Sequence, residues 1–298
     1  MKKIVAALAF PLCISLSACG GGDDGGSSSS SPAIRLTHSG TPLVTTQRAR
    51  VMAATTDASS SASGAGSPMA DGEATIAALR DAFKARGADV GVYPGIINGT
   101  TLHKLVMAEN NGVGPTLDEL AKSKTNISEW ELVYFELDDM SGFVDSAEKR
   151  AEIEQFKHDL QVYGGREYLK GRVIFAARPV VSCAANKEVR SVNENGYVVV
   201  DTYSPTSQVL YDVISGVGGN GYVDPIGGIR NSDPTHMGGD CSTPDQSMRD
   251  ARLASIVDPL VERYKVALDT INKCKYNPEA IPEDGRSAQC WGIEPVKK

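Results

Sequence analysis

Asp233 and His236 are the residues whose types and spacing point most directly to chemistry. They stand three positions apart in Asp-Pro-Thr-His, in a glycine-rich segment that precedes a long helical pattern. An imidazole held by a carboxylate can take the proton of a hydroxyl nucleophile, because the carboxylate fixes the tautomer of the ring. Ser59, in the hydroxyl-rich residues 55–61, is the nucleophile that we expect to serve this pair.

Two further segments resemble known catalytic blocks. Gly99 lies in Tyr-Pro-Gly-Ile-Ile-Asn-Gly-Thr-Thr at residues 93–101, and Asp138 follows the apolar run at residues 131–135. With the Asp-x-x-His segment, this order of motifs resembles the SGNH, or GDSL, hydrolases and esterases over residues 50–271.

The resemblance implies a serine esterase that uses neither a metal nor a cofactor. Ser59 would be the nucleophile, His236 the base and Asp233 its orienting carboxylate. The backbone N–H groups of Ser59 and Gly99 would donate to the oxyanion. Asp138 would lie at the oxyanion and substrate-binding position of the third block, which residues 136–139 form. The expected substrate is an ester or an acylated glycan.

Two departures from the family pattern favour an alternative function. Aligning Asp57 with the family Asp puts Ala58 at the position of the nucleophilic serine, one residue before Ser59. Asp138 stands where the family has Asn, and an ionised carboxylate has no N–H to donate to an oxyanion. The alternative is a catalytically inactive SGNH-like lipoprotein that acts as a binding or structural module.

The remaining histidines, His38, His103 and His158, lack a partner pattern and are predicted to be surface or linker residues.

Alternating helical and strand patterns predict the scaffold for these residues. Residues 74–86 and 147–163 carry apolar side chains at helical spacing, and each segment is followed by glycine. Residues 88–93, 131–135, 171–177 and 197–201 are predicted strands, as are residues 50–54 before the serine run, whereas residues 188–193 are predicted to be helical. This alternation predicts an α/β three-layer sandwich, SGNH-hydrolase-like and flavodoxin-like, with a mostly parallel sheet flanked by helices.

The C-terminal helical pattern leaves one alternative open. Residues 246–273 place apolar side chains along one stripe, but Pro259 interrupts it. Either one helix continues through Pro259, or a second helix begins there with Asp258 as its cap.

The N-terminus predicts an exported and lipid-anchored protein. Lys2 and Lys3 precede an apolar run that ends in Leu16-Ser17-Ala18-Cys19, which resembles a bacterial lipobox. Cleavage would leave Cys19 as the lipidated first residue of the mature chain. The membrane is thus an expected partner, with localisation in the bacterial cell envelope, at the outer membrane.

Composition excludes one class of partner. Removal of Lys2 and Lys3 changes the formal net charge from −7 to −9, which disfavours binding to nucleic acid. The sequence does not indicate an oligomeric state.

Four cysteines remain after cleavage: Cys183, Cys241, Cys274 and Cys290. In an oxidising compartment they predict two disulfides with three possible pairings, and no Cys-x-x-Cys or metal-ligand spacing is present. A Cys274–Cys290 bridge would hold the tail. A separate hypothesis joins Cys241 to a tail cysteine, which would brace the loop of His236.

The predicted domain organisation has four parts. Residues 1–18 form a signal peptide, residues 19–45 a Gly/Ser-rich tether, residues 46–273 the α/β domain, and residues 274–298 a disulfide-held tail.

Overall fold

The structure, a computed structural model, describes residues 32–44, 68–137 and 139–296. The described strands are β1 (Ile34–Gly40), β2 (Val90–Pro94), β3 (Glu129–Tyr134), β4 (Val173–Ala177), β5 (Lys187–Val192), β6 (Val198–Tyr203) and β7 (Val223–Ile226). The described helices are α1 (Pro68–Ala85), α2 (Leu102–Ala108), α3 (Leu117–Lys122), α4 (Ala147–Leu169), α5 (Thr206–Val217), α6 (Gln246–Tyr276) and α7 (Glu283–Gln289).

Five strands form one sheet in the order β2-β1-β3-β4-β7, and every neighbouring pair is parallel. Side chains alternate between the two faces of the sheet, so that on β3 Leu132 joins one apolar cluster and Val133 joins the other. Helices α1 and α6 pack on the first face, and α2, α4 and α5 pack on the second. The predicted three-layer α/β fold is confirmed.

An interior strand of the sheet, β1, lies where the sequence predicts a tether. The Gly/Ser composition predicts a linker over residues 19–45, but Ile34–Gly40 forms β1 and pairs with both β2 and β3. His38, predicted to be a surface or linker residue, is fully buried on this strand. The predicted strand at residues 50–54 lies outside the described residues.

Residues 187–203 also differ from the sequence prediction. The polar pattern predicts a helix at residues 188–193, but the segment is strand β5, which pairs antiparallel with β6. The predicted strand at residues 197–201 is present as part of β6, but it belongs to this separate two-stranded sheet. Backbone pairing between β5 and β6 decides the conformation here, since most of the hairpin's side chains are exposed.

Two helices continue past residues that can end a helix, Gly164 in α4 and Pro259 in α6. Gly164 and Gly165 predict the end of a helix, yet α4 continues to Leu169. A Cβ at Gly164 would lie 2.6 Å from Val223 Cγ2, so this glycine permits close packing of α4 on β7. Helix α6 is continuous through Pro259, which is the first of the two alternatives.

Two disulfides connect the four described cysteines, as Cys183–Cys241 and Cys274–Cys290. The second bridge holds the tail as predicted. The hypothesis that Cys241 pairs with a tail cysteine is wrong, because Cys241 pairs with Cys183. The tail also contributes Ile281 and Ile293 to the core, so the domain extends beyond its predicted end at residue 273.

Candidate functional site

The strand order identifies the edge of the sheet where a ligand site is expected. The connection after β1 leads to β2 on one side of it, and the chain then crosses to β3 on the other side. The carboxyl ends of β1 and β3 are therefore the topological switch point. Ligands of open parallel α/β sheets bind at such points, because the outgoing loops separate there and leave a crevice.

A cleft of about 430 Å³ is present at this switch point. Its lining includes Thr41 after β1, Tyr134 and Glu136 at the end of β3, Val180 after β4, and Arg252 from α6. This volume is within the range of small-molecule sites.

Gly40 makes the junction of β1 and β3 at the cleft possible. Its φ of +117° is a left-handed conformation, and a Cβ there would lie 1.7 Å from the carbonyl oxygen of Tyr134. The chain can therefore turn at Thr41, whose N–H donates to that carbonyl.

His236 lies beyond β7, in a loop that also contributes to the cleft wall. Ser242, Thr243 and Pro244 of this loop line the cleft, whereas His236 lies outside the lining. The loop is joined to the segment after β4 by Cys183–Cys241, and Ser182 Oγ donates to the Cys241 carbonyl at 2.8 Å. These contacts hold the His236 loop at the carboxyl edge of the sheet.

The carboxylate partner of His236 is Asp245, which corrects the predicted pairing with Asp233. Nδ1 of His236 lies 2.7 Å from Asp245 Oδ2, and Asp245 also caps α6 by accepting from the Met248 N–H. The Asp233 carboxylate instead accepts from the backbone N–H and the hydroxyl of Thr235, at 2.9 and 2.8 Å. Nε2 of His236 forms no hydrogen bond with any described residue.

Charge and hydrogen bonding move the pKa values of this pair apart. The hydrogen bond and the charge of Asp245 raise the pKa of His236 above 6.5. The hydrogen bond from His236 lowers the pKa of Asp245 in return. An ionised Asp245 beside a basic imidazole is the arrangement that a general base requires.

The other predicted site residues are only partly described. Gly99 is exposed in the loop after β2, with a φ of +80°. That loop follows one edge strand and the His236 loop follows the other, so their strands are four spacings, or roughly 19 Å, apart. Ser59 and Asp138 lie outside the described residues, as does Cys19.

A second histidine–carboxylate pair escapes the sequence analysis. His103 Nδ1 lies 3.0 Å from Asp159 Oδ2, and Asp159 Oδ1 accepts from Gln155 at 3.0 Å. His103 is exposed, as the sequence predicts, but it has a partner that the sequence pattern does not show. The only sequence signal is Asp159 itself, an acid directly before Leu160 on the apolar face of α4.

His38 is buried, with the positive charge of Arg252 nearby, and its environment keeps it neutral. Burial lowers its pKa to about 4, although a backbone hydrogen bond with Thr41 opposes the shift. His158 is exposed, as predicted.

Within residues 32–44, 68–137 and 139–296, no cluster of three or more His, Cys, Asp or Glu side chains could hold a metal ion. In the same part of the chain, no helix has the length and apolar character needed to cross a membrane. No family model, curated protein or solved structure matches this chain.

Proposed function

We propose that this protein is an SGNH-type ester hydrolase held in the bacterial envelope by lipid on Cys19. Ser59 is the nucleophile, His236 is the general base, and Asp245 is the carboxylate that orients His236. The observation that carries the proposal is the His236–Asp245 contact of 2.7 Å at the carboxyl edge of the sheet. With Nδ1 engaged, Nε2 is the nitrogen available to a hydroxyl.

The proposed reaction has two steps with conserved atoms and charge. Ser59 Oγ attacks the ester carbonyl while His236 Nε2 takes its proton, and the Ser59 N–H stabilises the oxyanion; a contribution from the Gly99 N–H requires the loop after β2 to extend along the sheet edge toward His236. The alcohol leaves with the proton from His236, and an acyl-enzyme remains. Water, deprotonated by His236, then releases the acid and restores the serine.

Hydrolysis of short-chain nitrophenyl esters by the full chain in a non-ionic detergent tests this function. We expect turnover by the wild type, its loss in Ser59→Ala, and its retention in the neighbouring control Ser60→Ala. A fluorophosphonate probe should label Ser59 in the wild type. The hydrolase proposal fails if no serine is labelled and if wild-type turnover does not exceed that of His236→Ala.

The anchor is tested separately from the activity. Radiolabelled palmitate should be incorporated into the wild type and not into Cys19→Ser, and only the wild type should remain in the membrane fraction. Equal membrane association of both proteins without labelling would remove the lipid anchor from the proposal.

Hydrogen bonding at the end of β1 favours the second candidate function, a binding module without turnover. The family nucleophile follows the first strand, and here that place is taken by Ser39, Gly40 and Thr41. Ser39 Oγ accepts from the Ile96 N–H and Thr41 Oγ1 accepts from the Glu136 N–H, at 3.1 and 3.3 Å. Neither hydroxyl forms a hydrogen bond with a histidine side chain among the described residues, so neither is placed for deprotonation by one. Absence of fluorophosphonate labelling together with saturable ligand binding would support this function.

A further inference from the structure

The guanidinium group of Arg252 is satisfied only in part by the described protein, through the Tyr134 side chain. The residue is 8% exposed, and its Nε and Nη2 atoms have no hydrogen-bond partner among the described residues. Buried donors of a cation that lack partners are costly, so such groups are normally paired. Arg252 also forms no ion pair within the described residues.

The two unpartnered nitrogens lie on the same edge of the guanidinium. Nε–H and the adjacent Nη2–H point in parallel, and together they match the two oxygens of a carboxylate or two oxygens of a phosphate. The planar group is held in place by Tyr134, whose ring centroid lies 4.1 Å from Arg252 Cζ. The donor edge is therefore oriented before any ligand arrives.

Arg252 lines the 430 Å³ cleft at the switch point, together with Tyr134. The same cleft is lined by two acidic residues, Glu136 and Asp139, but both already accept hydrogen bonds. The Tyr134 hydroxyl donates to Glu136, and Asp139 Oδ1 accepts from Ser141 Oγ and the Gly142 N–H.

The other arginine in the lining is satisfied by neutral groups. Arg249 donates to the Pro244 carbonyl at 2.6 Å and to Gln246 Oε1 at 3.1 Å. Arg249 adds positive charge to the cleft. Among the described residues, the free pair of donors in the cleft is the Nε and Nη2 edge of Arg252.

We infer that this cleft binds a small molecule through a carboxylate or phosphate group, which accepts two hydrogen bonds from Arg252 Nε and Nη2. Leu43, Met140 and Pro179 of the lining supply apolar surface for the rest of that molecule. The inference concerns binding and does not depend on ester hydrolysis.

Calorimetric titration of the full chain in a non-ionic detergent tests the inference with three probes of similar shape: benzoate, phenyl phosphate and the neutral benzamide. We expect saturable binding of benzoate, phenyl phosphate or both, and about 10- to 100-fold weaker binding of benzamide, because it lacks the charge. The tighter of the two anions identifies whether the site prefers a carboxylate or a phosphate.

Arg252→Lys keeps the positive charge but removes the parallel donors, and it should weaken anion binding by about 10-fold or more. Arg263→Lys is the matched control, because Arg263 lies on the same helix but pairs with Asp224 away from the cleft. Its anion affinity should equal that of the wild type.

Three results would overturn the inference: neither anion saturates the wild type, benzamide binds as tightly as the anions, or folded Arg252→Lys binds like the wild type. If circular dichroism shows that Arg252→Lys is unfolded, the comparison of anions with benzamide on the wild type decides alone.

Discussion

The two histidine–carboxylate pairs have nearly the same contact but opposite surroundings. His236–Asp245 joins side chains that are 41% and 47% exposed, whereas the second pair joins His103, which is 54% exposed, to Asp159, which is 2% exposed. In both pairs Nδ1 is the bonded nitrogen. A histidine–carboxylate contact alone therefore does not distinguish a catalytic base from a helix-to-helix contact.

The difference lies in what else each carboxylate does. Asp159 lies on α4 and ties this helix to α2, on which His103 lies, while its second oxygen is held by Gln155. Asp245 caps the N-terminus of α6 and directly follows Pro244 of the switch-point cleft, whereas His103 and Asp159 themselves line a second cleft. Under the proposed function, the buried Asp159 that joins two helices has a structural role, and His236 has the base role.

The largest expected difference between the pairs is in ester hydrolysis. His236→Gln should lower kcat by about 10²- to 10⁴-fold, the usual contribution of a general base. His103→Gln should leave kcat unchanged, because its pair is assigned to structure. Steady-state kinetics on a nitrophenyl ester measures both. A larger loss in His103→Gln would reverse the assignment.

The free energy of unfolding should be affected in the opposite order, more by a change in the Asp159 pair than by a change in the Asp245 pair. Asp159→Asn places an amide N–H₂ against one of two donors in a buried site and should lower the free energy of unfolding by about 1–3 kcal/mol. Asp245→Asn should leave it nearly unchanged, since the pair is exposed and Asn is also a favourable N-cap. Urea denaturation followed by circular dichroism compares the two, and equal losses would contradict the division of roles.

The pH dependence of kcat/KM should also differ between variants of the two pairs. The general base must be neutral, and Asp245 raises the pKa of His236, so the rate should rise with pH through a value above 6.5. Asp245→Asn removes the charge and should move this rise to lower pH. Asp159→Asn serves as the control and should leave its position unchanged. An identical profile in Asp245→Asn would show that His236 is not the titrating base.

The smallest effect is expected at Asp233, the carboxylate that sequence spacing favours as the partner of His236. Asp233→Asn should keep the hydrogen bond from the Thr235 N–H, since the Asn side chain has a carbonyl oxygen. Its kcat should therefore stay close to that of the wild type, in contrast to Asp245→Asn. A greater loss in Asp233→Asn than in Asp245→Asn would return the orienting role to Asp233.

The sequence predicts strands β3 and β4 better than β1, which lies beside β3 in the sheet. Apolar runs at residues 131–135 and 171–177 indicate β3 and β4, because strands buried on both faces are almost continuously apolar. Strand β1 is missed because it contains His38 and Ser39, which the sequence pattern marks as polar. Their burial depends on tertiary contacts, such as that of Ser39 with the backbone of Ile96.

The candidate site shows a similar limit. The sequence identifies His236 from its residue type and its position before the last long helix. It assigns the wrong carboxylate because Asp233 satisfies a backbone N–H two residues later, a common local use of Asp. Asp245 and Arg252 reach the site only through the placement of α6, and sequence periodicity predicts the helix without showing which of its polar residues lie at the cleft.

The Cys183–Cys241 disulfide also determines what a protease would leave behind. The bridge closes a ring with a sequence separation of 58 residues, and the exposed turn between β5 and β6, at residues 193–196, lies within this ring. One backbone cut at that turn would leave both fragments covalently joined, and they would separate in gel electrophoresis only after reduction. The loop of His236 would remain attached to the segment after β4 in the nicked protein.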